Sequence, residues 1–240
     1  MASEGGSVTT NKLRRLRLAG IVSLACAATV FAADVIMLGL PVSGSEVADY
    51  RSLANIPEWR LRLGSYGAFV IIVFVIGVWQ LYEGIKPAGG WWSIPPFFFL
   101  SYFFINGAIF HFLVPFIGAA VKAQSQSQGA GNETIGTLIQ TMRSYWLVPY
   151  YASAVSLAIG SLWFAAAILF RPTYFPRWMA ALSPGIPIGA AFLMTRWLPA
   201  PVGGYLYPPF VHFATPLIFG VSTVLLWNVE FDSRSKHKTN

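Results

Sequence analysis

Six long apolar stretches, separated by short polar connections, dominate the pattern along the chain. We predict transmembrane helices over residues 18–40, 63–85, 93–122, 145–170, 178–197 and 208–229, since about 20 consecutive apolar residues are enough to cross a bilayer. Pro184, Gly185 and Pro187 lie inside the fifth stretch and predict a kinked or broken helix. The expected fold is an all-α polytopic membrane helix bundle with six transmembrane helices, a seventh being possible, and both termini on the same side.

The connections also carry local signals. Residues 1–11 are rich in Gly, Ser and Thr, which favours disorder. Residues 41–62 form a polar loop in which Tyr50, Leu53, Ile56 and Trp59 recur at helical spacing, as in an amphipathic segment at the membrane interface. Residues 123–135 read as a flexible loop followed by a short surface helix over 134–143. Pro- and Gly-rich residues 199–209 read as a structured loop or cap.

These assignments give one membrane domain over residues 18–229, with cytoplasmic tails over 1–17 and 230–240. The chain is 55% hydrophobic and 10% charged, whereas a soluble domain carries about 25% charged residues. This composition indicates an integral membrane protein and not a soluble domain with a single anchor.

The basic residues indicate an orientation. With a cytoplasmic N-terminus, the inner side would hold ten of the 16 Lys and Arg residues, and cytoplasmic connections carry such an excess. We therefore predict an inner-membrane protein of bacterial type with both termini cytoplasmic. The net charge of +7 follows this topological pattern, so we expect no nucleic acid partner. The sequence leaves the oligomeric state open.

Asp34 is the only formally charged residue between Leu18 and Leu40. A carboxylate in hydrocarbon is costly, so an acid at such a position is a candidate functional residue. Counting along the predicted helices places Asp34 and His111 in the outer half of the membrane. Asp34 is then either a catalytic or ligand-binding acid, a proton-coupling site, or a structural carboxylate that pairs with Arg60 or His111.

Further polar and aromatic side chains are expected near the same level. We predict Asp34 and His111 as catalytic residues, and the following as substrate-binding residues: Arg60, Asn106, Phe110, Tyr150, Tyr151 and His212. Asn106 and His111 are five residues apart, about 140° round a helix, so both cannot point squarely into one narrow cavity. Glu83, at the inner interface, is expected to be solvated.

The chain offers few ligands for a cofactor or metal. Its single cysteine, Cys26, excludes an internal disulfide and any cysteine-based metal cluster. A zinc site made by Asp34, His111 and His212 is a minor alternative. We therefore expect no cofactor and no metal, and a hydrophobic small molecule and membrane lipid as partners.

Two resemblances bear on function. The segments Asp34–Pro41, Arg60–Gly64, Trp79–Tyr82 and Pro201–Tyr205, together with His111, resemble a group of small six-helix bacterial membrane proteins. In size and in its single buried acid, the chain also resembles integral-membrane terpene cyclases of meroterpenoid and indole-sesquiterpenoid pathways.

The second resemblance implies a role for the acid. In these cyclases a buried carboxylic acid protonates an alkene or epoxide, and aromatic side chains guide the cation. Asp34 would be the proton donor, and His111 or a tyrosine hydroxyl would orient it or take back the final proton. The fungal members have paired acids, and the second has no clear match here, with Glu58 and Glu83 as the candidates.

The hypothesis from the sequence is a membrane-embedded, terpene-cyclase-like enzyme, an isomerase or lyase. It would act by proton-initiated catalysis on a hydrophobic isoprenoid-type substrate from the bilayer. The alternative is a non-catalytic binder or carrier of a lipid or small hydrophobic ligand, and a third hypothesis is a structural or regulatory membrane subunit.

Overall fold

The structure is a computed structural model that describes residues 4–229, with side chains from residue 10 onward. It is helical throughout these residues, with no strand. Four helical segments are long and apolar enough to cross a membrane: Thr10–Leu38, Glu58–Ala88, Gly90–Gln126 and Ala130–Phe170. The membrane-protein prediction is therefore confirmed at this level. The tail over 230–240, which holds three of the predicted inner basic residues, lies outside the described residues.

The helices, in chain order, are α1 (Glu4–Leu38), α2 (Gly44–Val47), α3 (Glu58–Ser65), α4 (Gly67–Ile71), α5 (Phe74–Ile85), α6 (Gly90–Gln126), α7 (Ala130–Phe170), α8 (Gly185–Arg196), α9 (Val202–Leu206) and α10 (Phe210–Leu226). Short 3₁₀ helices cover Tyr50–Asn55, Lys86–Ala88 and Arg177–Leu182. The fifth predicted helix is broken, as expected, into the last of these 3₁₀ helices and α8. Pro184 lies at the break and caps α8.

Three local predictions are wrong: disorder over 1–11, a loop over 123–135 and a separate surface helix over 134–143. The helix that contains Asp34 begins at Glu4 and not at residue 18, so the part of the 1–11 segment that is described is helical. The predicted loop and surface helix over 123–143 are instead continuous with their neighbours, because α6 runs to Gln126 and α7 begins at Ala130. The turn between them needs only three residues, since Gly129 adopts a positive φ of 59° that other residues avoid.

The predicted interfacial segment packs on the protein instead. Leu53 and Ile56 are buried in a cluster with Met37, Leu61 and Ile117, and the 3₁₀ helix Tyr50–Asn55 packs against α6. Burial against protein explains the spacing of Leu53 and Ile56, whereas Trp59, the last member of the predicted set, is exposed.

Helix α1 packs against α3, α4, α5 and α10. Arg17, in its first half, donates two hydrogen bonds to the carbonyl of Trp227 at the end of α10, at 3.0 and 2.7 Å. Asp34, near the end of α1, lies 3.6 Å from His212 near the start of α10, so the two helices are antiparallel. At the other end, the chain after α1 pairs with the segment around α9: Leu40 N donates to Gly204 O at 3.2 Å, and Gly204 N donates to Val42 O at 2.8 Å.

The end of the bundle that contains Arg17 also holds a buried acid. Glu83 is 4% exposed and pairs with Lys12 at 2.7 Å and with Lys86 at 3.0 Å. The prediction that Glu83 is solvated is therefore wrong. Gln80, one turn earlier and fully buried, donates to Leu16 O and to Thr223 Oγ1 and so links α5 to α1 and α10.

Candidate functional site

Asp34 lies on α1 and is 3% exposed. Two glycines allow α3 and α4 to approach it closely. A Cβ on Gly64 would lie 2.1 Å from the Cβ of Met37, and a Cβ on Gly67 would lie 3.1 Å from the Cβ of Ala33. Because these positions carry no side chain, the backbone of the second membrane segment reaches the face of α1 that bears the acid.

His111 of α6 meets the acid from the other side. Its Nδ1 lies 3.2 Å from Asp34 Oδ1, although their alignment is poor for a hydrogen bond. Its Nε2 lies 3.2 Å from the carbonyl oxygen of Gly64. A carbonyl oxygen can only accept, so Nε2 carries a hydrogen and donates it.

This hydrogen bond fixes how the pair can be protonated. With Nε2 protonated, a neutral His111 presents a lone pair at Nδ1 towards Asp34. A carboxylate there would set two lone pairs against each other. A further proton on either the carboxyl oxygen or the ring nitrogen would relieve this repulsion.

His212 of α10 completes the cluster. Its Nε2 lies 3.6 Å from Asp34 Oδ2, and its ring stacks on Phe74 with centroids 5.5 Å apart and planes 8° apart. Its Nδ1 is buried and has no hydrogen-bond partner within residues 10–229. Asp34 thus has an imidazole at each oxygen.

These three side chains form part of the wall of a cavity of about 280 Å³, close to the lower end of the range for ligand sites, about 300–1,000 Å³. Aromatic rings make up much of the remaining wall: Phe103, Phe104, Phe110, Tyr150, Phe192 and Phe210. Gly107, Gly185 and Gly189 leave space along it. The cavity is therefore an apolar chamber with one carboxyl and two imidazoles on its surface.

The structure brings together five of the eight residues predicted for the site. Asp34, His111, Phe110, Tyr150 and His212 all line the cavity. This includes both predicted catalytic residues.

The other three do not line it. The Arg60 guanidinium donates to the carbonyls of Val35, Ile36 and Gly39, at 3.2, 2.5 and 2.6 Å. It therefore caps the C-terminal end of α1 and is not the counter-ion of Asp34. Asn106 donates to Tyr102 O, one turn back in α6, and Tyr151 is 60% exposed.

The sequence did not place Gly64 and Gly67 at the site. It also missed Phe192, Phe210 and Ser153 in the cavity wall. Small residues in the interior of a membrane helix were the one available signal for the two glycines. No pattern in the sequence marks the face of α8 or α10 that turns inwards.

The cluster can hold and move a proton in a nonpolar space. A carboxyl group between two imidazoles can give up a proton on one oxygen and recover it through the other, because each oxygen has its own nitrogen neighbour. Within residues 10–229 no group of three or more His, Cys, Asp or Glu side chains has the geometry to hold a metal ion.

A protein family described as "Family of unknown function (DUF6796)" matches residues 5–228, which is nearly the whole chain. No curated protein matches the chain, and no solved structure matches it.

Proposed function

We propose that this chain, which belongs to the DUF6796 family, is a membrane-embedded enzyme that acts by proton-initiated catalysis on a hydrophobic, isoprenoid-type substrate. The observation that carries the proposal is the position of Asp34. Its carboxyl is 3% exposed, faces an aromatic cavity of about 280 Å³, and lies within 3.6 Å of two imidazole nitrogens.

The chemistry begins with the proton held at the Asp34–His111 contact. A proton leaves the carboxyl oxygen and forms a C–H bond with an alkene carbon of the substrate, or an O–H bond with an epoxide oxygen. The positive charge that develops on carbon is stabilised by the faces of neighbouring rings through their quadrupole. Phe103, Phe104 and Phe110 stand in the wall for this role.

The reaction ends when a neighbouring carbon of the cation loses a proton. The Asp34 carboxylate or a free imidazole nitrogen of His212 accepts it, and the product is an isomer of the substrate. His111 is the positioning residue, because its hydrogen bond to Gly64 O directs Nδ1 towards the acid. The mostly apolar wall of the cavity disfavours water beside the cation, which water would otherwise quench.

We also infer six membrane passes with both termini cytoplasmic. Helix α10 has 17 residues and the segment from Arg177 through α8 has 20, counted from 177 to 196. Arg17 of α1 contacts Trp227 at the end of α10. This contact supports placing the start of α1 and the end of α10 on the same side of the membrane. Reporter fusions at each terminus test this orientation.

The carrier hypothesis also finds support in one observation. Asp34 can be neutralised by His111 alone, so the cluster can serve as a neutral polar anchor for a bound lipid. A carrier would release its ligand unchanged, whereas the proposed enzyme converts it.

Mass spectrometry of small molecules that co-purify in mild detergent separates these functions. We expect the wild-type protein and Asp34→Asn to carry isomers of equal mass and different retention, because the variant retains unconverted substrate. Glu83→Gln is the matched control, since it also removes a buried carboxyl but lies at the opposite end of the bundle. The same molecule in all three proteins would favour the carrier, and an isomer difference in Glu83→Gln would contradict the role of Asp34.

A further inference from the structure

Two buried donors lie without partners just behind the aromatic wall of the cavity. Arg143 Nε and Trp146 Nε1 are both buried and have no hydrogen-bond partner within residues 10–229. They are three residues apart on α7 and so share a face of the helix. The Trp146 ring lies 5.9 Å from Tyr150 in a stacked arrangement and 4.9 Å from Phe110, and both of these rings line the cavity.

The positive charge of Arg143 is also uncompensated. Its guanidinium lies 3.9 Å from the centre of the Tyr50 ring, and it forms no ion pair in the described part of the chain. The acids of the neighbouring connection are engaged elsewhere: Glu46 accepts from Ser43, Asp49 from the backbone of Arg51, and Glu58 pairs with Arg62. A buried donor is costly unless a partner arrives, and Arg143 Nε is buried although the residue as a whole is only partly buried.

A second arginine, Arg196, is linked to the cavity wall through a tyrosine. Arg196 donates to the Tyr207 hydroxyl at 3.4 Å, and the Tyr207 ring lies 5.8 Å from Phe192, which lines the cavity. Arg196 and Arg143 both border the connection after α1. A Cβ on Gly44 would lie 2.7 Å from the Arg196 carbonyl, and Arg143 covers Tyr50.

The phenol beside Arg196 adds a neutral donor. Burial is the largest effect on Tyr207 and raises its pKa, although the hydrogen bond from Arg196 opposes it. The hydroxyl therefore keeps its proton at neutral pH. An indole N–H and a phenol, those of Trp146 and Tyr207, thus lie behind rings of the cavity wall, and each has an arginine beside it.

We propose that the substrate is an isoprenoid that carries a phosphate or diphosphate head group, held by Arg143 and Trp146 with Arg196 beside them, while its chain occupies the aromatic cavity. This proposal rests on the proposed function and names its substrate class. Guanidinium groups match the oxygens of a phosphate in a fork-like geometry. A head group with several acceptor oxygens satisfies both orphaned donors of α7 at once.

The placement has a chemical consequence. With the head group held at Arg143, Asp34 faces the hydrocarbon chain and not the phosphate ester. Protonation therefore falls on the chain, no C–O bond to the phosphate breaks, and the product keeps its head group.

Binding to the full-length protein in mild detergent tests the proposal, with farnesyl diphosphate, farnesol and inorganic pyrophosphate as probes. We expect farnesyl diphosphate to bind at least about tenfold more tightly than farnesol, the effect of one hydrogen bond to a charged group. Pyrophosphate should bind more weakly than farnesyl diphosphate. Equal affinities for farnesol and farnesyl diphosphate would overturn the proposal, and so would equal affinities for pyrophosphate and farnesyl diphosphate.

Variants locate the head group. Arg143→Gln should weaken farnesyl diphosphate about tenfold and leave farnesol unchanged. Arg171→Gln is the matched control, because Arg171 also covers an aromatic ring, that of Trp92, but lies at the opposite end of α7. If Arg143→Gln misfolds, Trp146→Phe removes a single N–H and should show the same selective loss. An equal loss in Arg171→Gln, or no loss in Trp146→Phe, would contradict the site.

Two further probes separate this proposal from the proposed function and from bulk lipid. If dodecyl phosphate binds in an Arg143-dependent manner and no isoprenoid binds, the head-group site is supported and the isoprenoid function is contradicted. If farnesol is converted in an Asp34-dependent manner and the protein shows no preference for a phosphate, the isoprenoid function is supported and the head-group site is contradicted. Displacement of farnesyl diphosphate by phosphatidylglycerol vesicles would assign the site to a membrane lipid and overturn the proposal.

Discussion

Gly67→Ala is the smallest change that should disturb the proton-holding pair. The new methyl carbon would lie 3.0 Å from His111 Nε2 and 3.1 Å from the Cβ of Ala33, whereas apolar atoms prefer about 3.5–4.0 Å. His111 or α4 must shift by several tenths of an ångström. His111 Nε2 is already 3.2 Å from Gly64 O, so the shift weakens this bond and turns Nδ1 away from Asp34.

Stability and function should respond differently to this substitution. Overpacking costs about 1–3 kcal/mol, while replacing Gly by Ala in a helix gains about 0.8–1 kcal/mol. The net loss is about 0–2 kcal/mol, or a decrease in Tm of about 0–8 °C at about 2–4 °C per kcal/mol. Catalysis should fall by up to about 100-fold, since small misplacements of reacting groups have effects of that size.

The assay is ¹⁵N NMR of protein labelled at histidine, combined with conversion of the substrate retained by Asp34→Asn. The chain has three histidines, so few signals need assignment. Gly67→Ala should change the His111 signals, with conversion reduced. Gly220→Ala is the matched control, because it adds the same methyl within a helix but away from the cavity wall, and the nearest atom of another helix, on Leu24, is 3.8 Å away. Wild-type His111 signals and wild-type conversion in Gly67→Ala would refute the reasoning.

Three further predictions concern what holds the site in place. Arg60→Gln removes a charged donor from three carbonyls of α1 and should reduce the free energy of unfolding by about 2–4 kcal/mol. Arg62→Gln breaks only an exposed pair with Glu58 and should leave it unchanged, and equal losses in a denaturation assay would contradict the capping role. Gln80→Leu should cost about 1–3 kcal/mol in the same assay, because it unpairs buried groups of α1 and α10, and wild-type stability would show that this link is dispensable. Phe104→Ala, in the cavity wall, should lower conversion more than ligand affinity, because a ring that faces a cation acts mainly in the transition state, and an equal loss of both would contradict that role.

The sequence predicted how deep in the membrane the site residues lie better than it predicted which face of each helix they occupy. Asp34 and His111 were placed at one level by counting along helices whose length the bilayer sets, and the structure brings them within 3.2 Å. Asn106 and Tyr151 lie on the same helices as cavity residues but on other faces. Rotation of a helix about its axis depends on packing, which a nearly uniform apolar pattern does not reveal.

The sequence pattern also did not predict that α1, α6 and α7 extend beyond their apolar stretches. The polar segment 123–126 is typical of a loop, yet it extends α6. Gln and Ser are tolerated in a helix whose neighbours support it. The depth of Arg60 predicts a ligand-binding cation, whereas its nearest partners are backbone carbonyls. Arginines serve both purposes, and only the contacts distinguish them.

The most direct test of the central claim is transfer of a proton from Asp34 to the substrate in D₂O. The compound retained by Asp34→Asn is eluted, incubated with wild-type protein in D₂O, and analysed by mass spectrometry. For an alkene substrate we expect the product to contain one deuterium on carbon, because the exchangeable proton of the carboxyl group becomes part of a C–H bond. For an epoxide we expect a ring-opened isomer whose new hydroxyl group carries the exchangeable deuterium. An unchanged compound, or an alkene-derived product without deuterium on carbon, would contradict proton-initiated catalysis by Asp34.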